Sequence, residues 1–342
     1  MSTSGGFFLV FDYIGAAPPR CNAAGSRLAR DEPDTLSPVE RVLISGASGL
    51  VGSALVPFLE SHGYELTRLV RRPVQDSREL QWDPMQPIPP NLVSGFDAAI
   101  HLSGESVQGR WTSSKKRRIR ESRVISTRNL SQALASAEEK PAVFVCASAI
   151  GYYGDRGDEI LTEESPAGTG FLTEVSREWE NATKPALEAG IRTVNVRIGV
   201  VLSREGGALK QMLLPFRLGL GGRIGNGRQW WSWIHIADLV AAVWHILSAL
   251  EGRASSPVQL TGPVNLVSAN PATNADFTRT LADALHRPAL LPMPAVAARL
   301  AFGQLADEGL LASAKVEPHK LLASHFVFRF PDLASAFDHL LS

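Results

Sequence analysis

The hydrophobic positions of the chain first form a regular pattern near residue 40. Residues 41–45 are a short apolar run, residues 50–62 repeat their apolar side chains with the spacing of a helix, and residues 65–70 form a second apolar run. This order predicts a strand, a helix that Gly63 can end, and a second strand. Pro57 lies inside the predicted helix and removes one hydrogen bond, so we expect a kink or a shorter helix there.

Strands and helices keep alternating up to about residue 200. Apolar runs at 96–104, 141–149 and 191–198 predict strands, and helical patterns lie between them near 113–136 and 171–189. Strands that alternate with helices of this length are typical of a parallel sheet with helices on both faces. The predicted fold class is therefore α/β, with a doubly wound parallel sheet.

The pattern changes toward the C-terminus. The sequence predicts a short strand over 264–267, a helix over 274–285, a strand over 325–330 and a last helix that begins at Pro331. Three prolines between residues 288 and 294 separate the earlier helix from the later elements. We expect these segments to form a small C-terminal α/β lobe that closes a substrate cleft.

Composition and charge exclude several classes of protein. The 342 residues, 44% of them hydrophobic, suffice for two domains or for one large α/β domain with an appendage. Lysine plus arginine and aspartate plus glutamate number 34 each, so the net charge is zero and no nucleic-acid partner is expected. With only Cys21 and Cys146, the sequence has no disulfide scaffold and no multi-cysteine zinc site, and it fits a reducing compartment.

The first 39 residues do not fit the pattern of a folded domain. They contain three arginines among glycine, serine, alanine and proline, as an organelle transit peptide would, but four acidic residues oppose that interpretation. No apolar run of the chain reaches the roughly 18 residues that a membrane-spanning helix needs, so no membrane insertion is expected. We therefore expect a disordered leader on a cytoplasmic protein, with an organelle stroma or matrix as the alternative if the leader is a transit peptide.

A glycine-rich turn, Gly46-Ala-Ser-Gly-Leu-Val-Gly52, follows the first strand directly and opens the first helix. Gly46 permits a tight turn, Gly49 lets the backbone approach a diphosphate, and Gly52 lets helix and strand pack closely. The free N–H groups at the start of the helix would face the phosphates. This context predicts a Rossmann-type dinucleotide site, and the residues expected to form it are Gly46, Ser48, Gly49, Leu50, Val51 and Gly52.

The end of the second strand distinguishes between nicotinamide cofactors. NAD enzymes place an acidic residue there to accept hydrogen bonds from the adenosine ribose. Here the strand ends in Arg71 and Arg72 without a carboxylate. Because a guanidinium group pairs well with a 2′-phosphate, the sequence favours NADP, and two solvated loop arginines are the alternative.

Four motifs resemble those of the extended short-chain dehydrogenase/reductase superfamily. They are the glycine turn, His101-Leu-Ser-Gly-Glu105, Ser148-Ala-Ile-Gly-Tyr-Tyr-Gly-Asp155 and Trp231-Ser-Trp-Ile-His-Ile-Ala-Asp238. More narrowly, the chain resembles the uncharacterised "epimerase family protein" branch, which is SulA-type and similar to nucleoside-diphosphate-sugar epimerases. It shares with that branch Trp82-Asp83-Pro84, Glu178-Trp179-Glu180, Arg197-Ile-Gly-Val-Val-Leu202 and Leu214-Pro-Phe-Arg-Leu-Gly-Leu-Gly-Gly222.

The resemblance covers about residues 40–340, and the segment from about 290 is similar to the branch's C-terminal domain of unknown function. It implies a Rossmann fold, NADP binding and an unassigned substrate, and one relative in the branch is linked to chloroplast division. It also points to two phosphate-directed arginines in the basic run 115–123, which is otherwise a solvated helix face. The further cofactor contacts expected on that helix and at the strand ends are Leu102, Ser103, Arg118, Arg123 and Val201.

The catalytic pattern departs from that of the superfamily. Its members use a Tyr-x-x-x-Lys pair, in which the lysine lowers the pKa of the tyrosine that transfers the proton. No tyrosine of this chain has a lysine four residues later, and Leu172 and Ser176 stand where the pair is expected. The remaining candidates for catalysis are Ser148, Tyr152 and Tyr153. The strand register leaves Ala149 as an alternative to Ser148, and packing under a substrate loop is the alternative role for the two tyrosines.

Three charged residues are candidates for binding a substrate. Glu105 follows the fourth strand and either faces the cofactor pocket or is a loop carboxylate or helix cap. Arg217 and Arg223 flank a glycine-rich segment that either reaches a phosphate or carboxylate of the substrate or forms a turn beside the sheet. The cluster of Trp230, Trp231 and Trp233 seals the lobe interface or offers an apolar platform to the substrate.

The sequence thus predicts an NADP(H)-binding oxidoreductase or epimerase-like enzyme that acts on a small polar molecule, without a metal site. A non-catalytic NADP(H)-sensing regulator or scaffold, with a possible link to division, is the alternative because the Tyr-x-x-x-Lys pair is missing. The predicted parts are a leader over 1–39, an NADP-binding Rossmann domain over 40–255 with substrate-lobe segments from about 205, and a C-terminal lobe over 256–342. We also expect Asp238 to cap the helix that follows it.

Overall fold

The computed structural model describes residues 41–248 and 259–342, so the expected leader over 1–39 lies outside the described residues. The strands are, in chain order, β1 (Arg41–Ser45), β2 (Glu65–Val70), β3 (Glu79–Gln81), β4 (Ala98–His101), β5 (Val143–Ala149), β6 (Ile160–Leu161), β7 (Arg192–Ile198), β8 (Val200–Leu202), β9 (Trp230–Trp231), β10 (Trp233–His235), β11 (Gly262–Leu266), β12 (Ala272–Thr273) and β13 (Lys315–Val316).

The α-helices lie between and after these strands. They are α1 (Leu50–Ser61), α2 (Ser113–Ser136), α3 (Phe171–Asn181), α4 (Lys184–Glu188), α5 (Gly207–Arg217), α6 (Ile236–Ser248), α7 (Asn274–Ala284), α8 (Ala295–Phe302), α9 (His319–Ala323) and α10 (Leu333–Leu341). Short 3₁₀-helices cover Pro90–Leu92 and Ile150–Tyr153, and a π-helical turn covers Ala306–Leu310.

Seven strands form a central parallel sheet in the order β11-β7-β5-β4-β1-β2-β3. Successive side chains of a strand point to opposite faces, so Val42 and Ile44 pack on one side of the sheet and Leu43 on the other. The first side is covered by α1 and α6, and the second by α2, α3 and α4. The predicted α/β fold with a doubly wound parallel sheet is confirmed.

A further hydrophobic core, apart from the two sides of the central sheet, lies under the C-terminal lobe. It joins α5, α7 and α10 around Trp231, Trp233 and Phe277, which are buried. The indole N–H groups of Trp231 and Trp233 donate to backbone carbonyls at 3.3 and 3.1 Å. Trp230 is half-buried and its indole N–H donates to Asp158 at 2.7 Å. The buried Trp231 and Trp233 therefore agree with the expectation that the tryptophan cluster seals the lobe interface, rather than with an apolar platform for the substrate.

Proline explains two differences between the predicted and observed helices. Helix α1 continues past Pro57 to Ser61 and is not shortened, because Pro57 lies on its exposed side, where solvent can satisfy the freed carbonyl. The predicted helix over 171–189 is instead two helices. Pro185 lies in the first turn of α4, a position that needs no N–H donor, whereas inside one long helix it would remove a hydrogen bond.

The C-terminal part differs from expectation in three places. The strand predicted over 264–267 belongs to β11, which pairs with β7 as the edge of the central sheet rather than lying in the C-terminal lobe. Residues 325–330 form no strand. The last helix begins at Leu333 instead of Pro331, because the Asp332 carboxylate accepts from the Ser335 N–H at 3.0 Å and caps it.

Asp238 has a different role from the expected helix cap. Its carboxylate accepts the backbone N–H groups of Arg329 and Phe330 at 2.8 and 2.9 Å, and so holds an irregular segment against α6. The N–H of Ala237 donates instead to Nδ1 of His235 at 3.0 Å. Because Asp238 satisfies those two N–H groups, the segment needs no partner strand.

A buried histidine joins β1, β4 and α2. Nδ1 of His101 lies 2.6 Å from the Ser45 hydroxyl, and Nε2 lies 3.2 Å from the Ser126 hydroxyl. Burial lowers the pKa of His101 to about 3, so the ring is neutral and both hydroxyls complete its hydrogen bonds. This contact does not follow from the sequence alone, since it depends on which residue of α2 faces the sheet.

We expect His101 to make the stability of the protein depend on pH. Its pKa is about 3 in the folded protein and 6.5 in an ordinary environment. Between these values the unfolded chain binds more protons, so the free energy of unfolding rises with pH by up to about 1.4 kcal/mol per unit. Urea unfolding at several pH values between 5 and 6 gives the free energy of unfolding of the wild type and of His101→Gln. The increase of this free energy with pH should be smaller in the variant, by the amount that corresponds to nearly one proton. An unchanged slope would contradict the assignment.

Candidate functional site

The glycine turn after β1 is packed against the end of β4. Gly46 has φ +76°, and a Cβ there would lie 2.7–2.8 Å from backbone atoms of Leu102 and Ser103. A Cβ on Gly52 would collide with the carbonyl oxygen of Gly46, so Gly52 packs against the turn itself. Only glycine fits at both positions, and the backbone N–H groups at the start of α1 are left without a side-chain cap.

A cavity of about 650 Å³ opens beside this turn, at the carboxyl ends of β1, β2 and β4. The predicted site residues in its lining are Gly46, Ser48, Gly49, Arg71, Arg72, Leu102, Ser103 and Glu105. The lining residues that the sequence analysis did not identify include Ala47, Ser53, Arg68, Trp82, Pro84 and Ser122. Ligands of open α/β sheets bind at this edge, so the cavity, here named the turn pocket, is the candidate cofactor site.

The other predicted cofactor residues lie outside this lining: Leu50, Val51, Gly52, Arg118, Arg123 and Val201. Leu50 would contact a Cβ built on Gly206, which places it toward the start of α5. Val201 pairs with Ile234 in the small sheet of β8 and β10. The part that these residues take in binding a cofactor stays a prediction.

Two of the three arginines at the end of β2 are engaged by carboxylates. Arg72 donates two hydrogen bonds to Glu79 at 2.8 and 2.6 Å, and Arg68 lies 3.5 Å from Asp76. Arg71 makes no hydrogen bond or ion pair within the described part of the chain. Arg71 is therefore the guanidinium group of the turn pocket that is available to an anion.

Glu79 is a carboxylate that the sequence analysis did not place at this site. It begins β3, which lies beside β2 and so brings Glu79 next to Arg68 and Arg72. The hydrogen bonds from Arg72 and from the Gln75 N–H lower the pKa of Glu79 to about 2. Both oxygens are occupied, so Glu79 positions Arg72 and is not free to accept hydrogen bonds from a ribose.

Glu105 and Ser122 belong to the wall of the turn pocket on the α2 side, and Arg123 holds Glu105 from outside the lining. Arg123 is half-buried over the ring of Trp179 and donates to the carbonyl of Glu105 at 2.9 Å. Burial lowers the pKa of Arg123 to about 10. The Glu105 carboxylate accepts from Lys115 at 2.7 Å, and this bond keeps its pKa below the ordinary value. Arg123 thus fixes the loop, while Arg118 lies 3.6 Å from the Glu105 carboxylate.

A buried ion pair lies at the carboxyl end of β5. Arg197 of β7 makes two hydrogen bonds to Glu180 of α3, at 2.8 and 2.9 Å. The hydroxyl of Ser148 donates to the same carboxylate at 2.7 Å. Burial acts to lower the pKa of Arg197, but the bonds to Glu180 outweigh it and the pKa is raised. Ser148, one of the catalytic candidates, is therefore bound to a protein carboxylate.

Tyr153, another catalytic candidate, is completely buried in the same network. Its hydroxyl accepts from Arg197 at 2.9 Å and lies 2.7 Å from the amide oxygen of Asn265 and 2.9 Å from the carbonyl of Thr162. Burial raises the pKa of Tyr153 to about 12. The hydroxyl thus links β7, β11 and the segment after β6, and it holds structure rather than facing a cavity.

Tyr152 is the only one of the three catalytic candidates whose hydroxyl has no partner within residues 41–248 and 259–342. Its ring is half-buried, with the guanidinium carbon of Arg197 3.5 Å from the ring centroid. Leu172 packs over Gly151, and Ser176 is buried, at the positions where the superfamily has tyrosine and lysine. Of the two candidate tyrosines, therefore, only Tyr152 has a hydroxyl group without a hydrogen-bond partner in the described residues.

The predicted substrate arginines are not in the turn pocket. Arg217 ends α5, and its carbonyl accepts from Arg287 at 3.1 Å. Arg223 lines a second cavity in the C-terminal lobe. No group of three or more His, Cys, Asp or Glu side chains in the described residues could hold a metal ion. Within those residues, no helix combines the length and apolar character needed to cross a membrane.

Two family models match the chain. The model of the NAD dependent epimerase/dehydratase family matches residues 42–259, and the model of a domain of unknown function, DUF1731, matches residues 293–340. Epimerase family protein Mb2239 of Mycobacterium bovis is 41% identical over 300 residues, which cover 87% of this chain and 96% of that protein.

Two solved structures are similar in both sequence and fold. The crystal structure of human epimerase family protein SDR39U1 (isoform 2) with NADPH is 34% identical, has a TM-score of 0.78, and covers 88% of this chain and 98% of its own. The crystal structure of the nucleoside-diphosphate sugar epimerase from Corynebacterium glutamicum is 38% identical with a TM-score of 0.72. That match covers 89% of this chain and 58% of the other.

Glu180→Gln should destabilise the protein by about 3 kcal/mol, because it keeps the size of the side chain but leaves the Arg197 charge buried without a counter-charge. The matched control is Glu178→Gln on the same helix, whose ion pair with Arg120 is exposed at the surface and should be worth less than about 1 kcal/mol. Urea unfolding measures both. Equal losses in the two variants would show that the buried pair does not stabilise the site.

Proposed function

The chain belongs to the NAD dependent epimerase/dehydratase family, as its motifs indicated, and from this premise we propose that it is an NADP(H)-dependent oxidoreductase or epimerase-like enzyme acting on a small polar substrate. The observation that carries the proposal is the turn pocket, whose lining combines a tightly packed glycine turn with Arg71, a guanidinium group that has no partner in the described residues.

The residues of the turn pocket fit an NADP molecule. The uncapped N–H groups at the start of α1 suit a diphosphate, and the tight approach of Gly46 to the end of β4 leaves room for it. Near the end of β2, Nε of Arg68 is buried without a hydrogen-bond partner in the described chain. A buried donor of this kind suits an anionic group such as a 2′-phosphate.

The charges at the end of β2 favour NADP over NAD. Three arginines face two carboxylates there, and Glu79 and Asp76 are both directed at arginines. Arg71 would hold the 2′-phosphate, because Glu79 neutralises Arg72 and Asp76 neutralises Arg68, which leaves Arg71 as the net positive charge of this cluster. When bound, NADP(H) would supply or accept a hydride, and the chain's own residues would orient it and handle the proton.

We assign the transfer of the proton to Tyr152. Its hydroxyl lies just beyond β5, the strand next to β4, whose end contributes Leu102 and Ser103 to the turn pocket. Arg197 holds the ring of Tyr152 from one face, and Glu180 holds Arg197. This arrangement would orient a phenol without the lysine that the wider superfamily uses.

A second candidate function is that of a non-catalytic NADP(H)-sensing regulator, which changes conformation when the cofactor binds. Two observations favour it: the hydroxyls of Ser148 and Tyr153 are bonded within the protein, and α3 carries no Tyr-x-x-x-Lys pair. An enzyme turns over a substrate and a regulator does not, so a measurement of turnover in the wild type and in Tyr152→Phe distinguishes the two functions.

Arg71→Ala should weaken NADPH binding by about ten- to a hundredfold and leave NADH binding nearly unchanged, because only NADPH carries the 2′-phosphate. Fluorescence titration of both cofactors provides the measurement. Arg78→Ala is the control, since Arg78 is exposed, pairs with Glu60 and lies outside the turn pocket. Equal loss of NADPH and NADH affinity, or a preference of the wild type for NADH, would refute the cofactor assignment.

Tyr152→Phe should lower turnover by about a hundredfold or more while leaving NADPH affinity unchanged, since it removes only a proton carrier. Turnover is followed by the absorbance of NADPH with a panel of carbonyl and nucleotide-sugar compounds. Tyr153→Phe should reduce the stability of the folded protein but not its turnover by a comparable factor. Tight NADPH binding without turnover on any compound, together with a partner protein captured only with NADPH, would favour the regulator.

A further inference from the structure

A second cavity, of about 450 Å³, lies in the C-terminal lobe between α7 and the segment 287–292. It shares no lining residue with the turn pocket in the described chain. Its wall is fixed, because the N–H groups of Leu291 and Met293 donate to the carbonyls of Gly221 and Arg223 at 3.2 and 2.9 Å. The cavity, here named the lobe pocket, is therefore a separate feature of the fold.

The lining of the lobe pocket carries a net positive charge. Arg223, Arg279 and Arg287 converge on it from three different segments, and Asp283 is the one carboxylate among its lining residues. Arg279 pairs with Asp276 at 2.7 Å, so Arg223 and Arg287 are the arginines left for a ligand. Arg223 makes no side-chain hydrogen bond or ion pair in the described part of the protein. Arg287 donates through Nε to the carbonyl of Arg217 and through Nη1 to the carbonyl of His286, at 3.1 and 3.2 Å, so its position is fixed, and Nη2 has no partner in the described residues. This arrangement suits an anionic group of phosphate or carboxylate geometry.

Thr278 provides an independent sign that a ligand belongs in the lobe pocket. It lies in the lining and is only 5% exposed, yet its hydroxyl has no hydrogen-bond partner in the described residues. A buried hydroxyl without a partner is uncommon, because it loses its bonds to water and gains none in return. A ligand atom would complete it.

The rest of the lining is apolar. It consists of Ala275, Ala282, Pro288, Ala289, Leu290 and Pro292. Leu290 is 78% exposed, so its side chain is accessible to a ligand. Apolar walls combined with a few convergent polar groups are typical of sites for small organic ligands rather than for inorganic ions.

We propose that the lobe pocket binds a small amphipathic anion, with its phosphate or carboxylate group on Arg223 and Arg287 and its apolar body against Pro288 and Leu290. The ligand is a small molecule distinct from the cofactor. Because the lobe pocket and the turn pocket are lined by different residues, the two ligands bind at the same time.

Titration calorimetry with phenyl phosphate tests the proposal on the full chain saturated with NADPH. Binding should persist under saturation, and inorganic phosphate should bind at least about tenfold more weakly because it lacks an apolar body. Arg223→Ala combined with Arg287→Ala should raise the Kd for phenyl phosphate about tenfold or more. Arg228→Ala is the matched control, since it changes an exposed arginine of the same loop outside the lobe pocket.

Thr278→Val gives a second measure that does not depend on charge. It keeps the shape of the side chain and removes a hydroxyl without a partner, so Tm should not fall while phenyl phosphate binds several-fold more weakly. The proposal is overturned if phenyl phosphate does not bind, if NADPH displaces it, if inorganic phosphate binds equally well, or if Arg228→Ala weakens binding as much as the double variant. It is also overturned if Thr278→Val lowers Tm and leaves binding unchanged.

Discussion

The buried ion pair between Arg197 and Glu180 is the interaction on which the structure at the carboxyl ends of β5 and β7 depends. Arg197 is almost fully buried, and a guanidinium group in that position is tolerable only if its charge and its donors are all matched. Glu180 provides the charge and two acceptors, and the hydroxyl of Tyr153 provides a third. This requirement ties β7, α3 and the turn after β5 into one rigid unit.

The same ion pair organises the three residues that were candidates for catalysis. Its bonds engage the hydroxyls of Ser148 and Tyr153, which therefore belong to the framework. Tyr152 is held on the outside of this framework with its hydroxyl unpaired in the described chain. The buried arginine that ties this framework together thus also positions the ring of Tyr152.

A similar matching of charge shapes the turn pocket. β3 contributes almost nothing to the core, but it brings Glu79 beside β2, where the carboxylate orients Arg72 and leaves Arg71 as the available cation. In the C-terminal lobe, Asp238 holds an irregular segment by two backbone hydrogen bonds. In each case a charged side chain satisfies nearby donors, and the chain can then follow a path that hydrophobic packing alone would not select.

The sequence by itself determined the elements and the turn, because these depend on local rules: the period of apolar side chains, the conformational freedom of Gly46 and the start of a helix after it. It therefore predicted the parallel sheet, the length of α2, and the glycine residues, Arg71 and Arg72 of the turn pocket, but not that α1 continues past Pro57. Tertiary structure alone decided the partners of charged and polar side chains. Glu79, Glu180 and Asp238 meet their partners through strand order and helix packing, over distances along the chain at which periodicity carries no information. For the same reason Arg223 lies in the lobe pocket and not at the ends of the central strands.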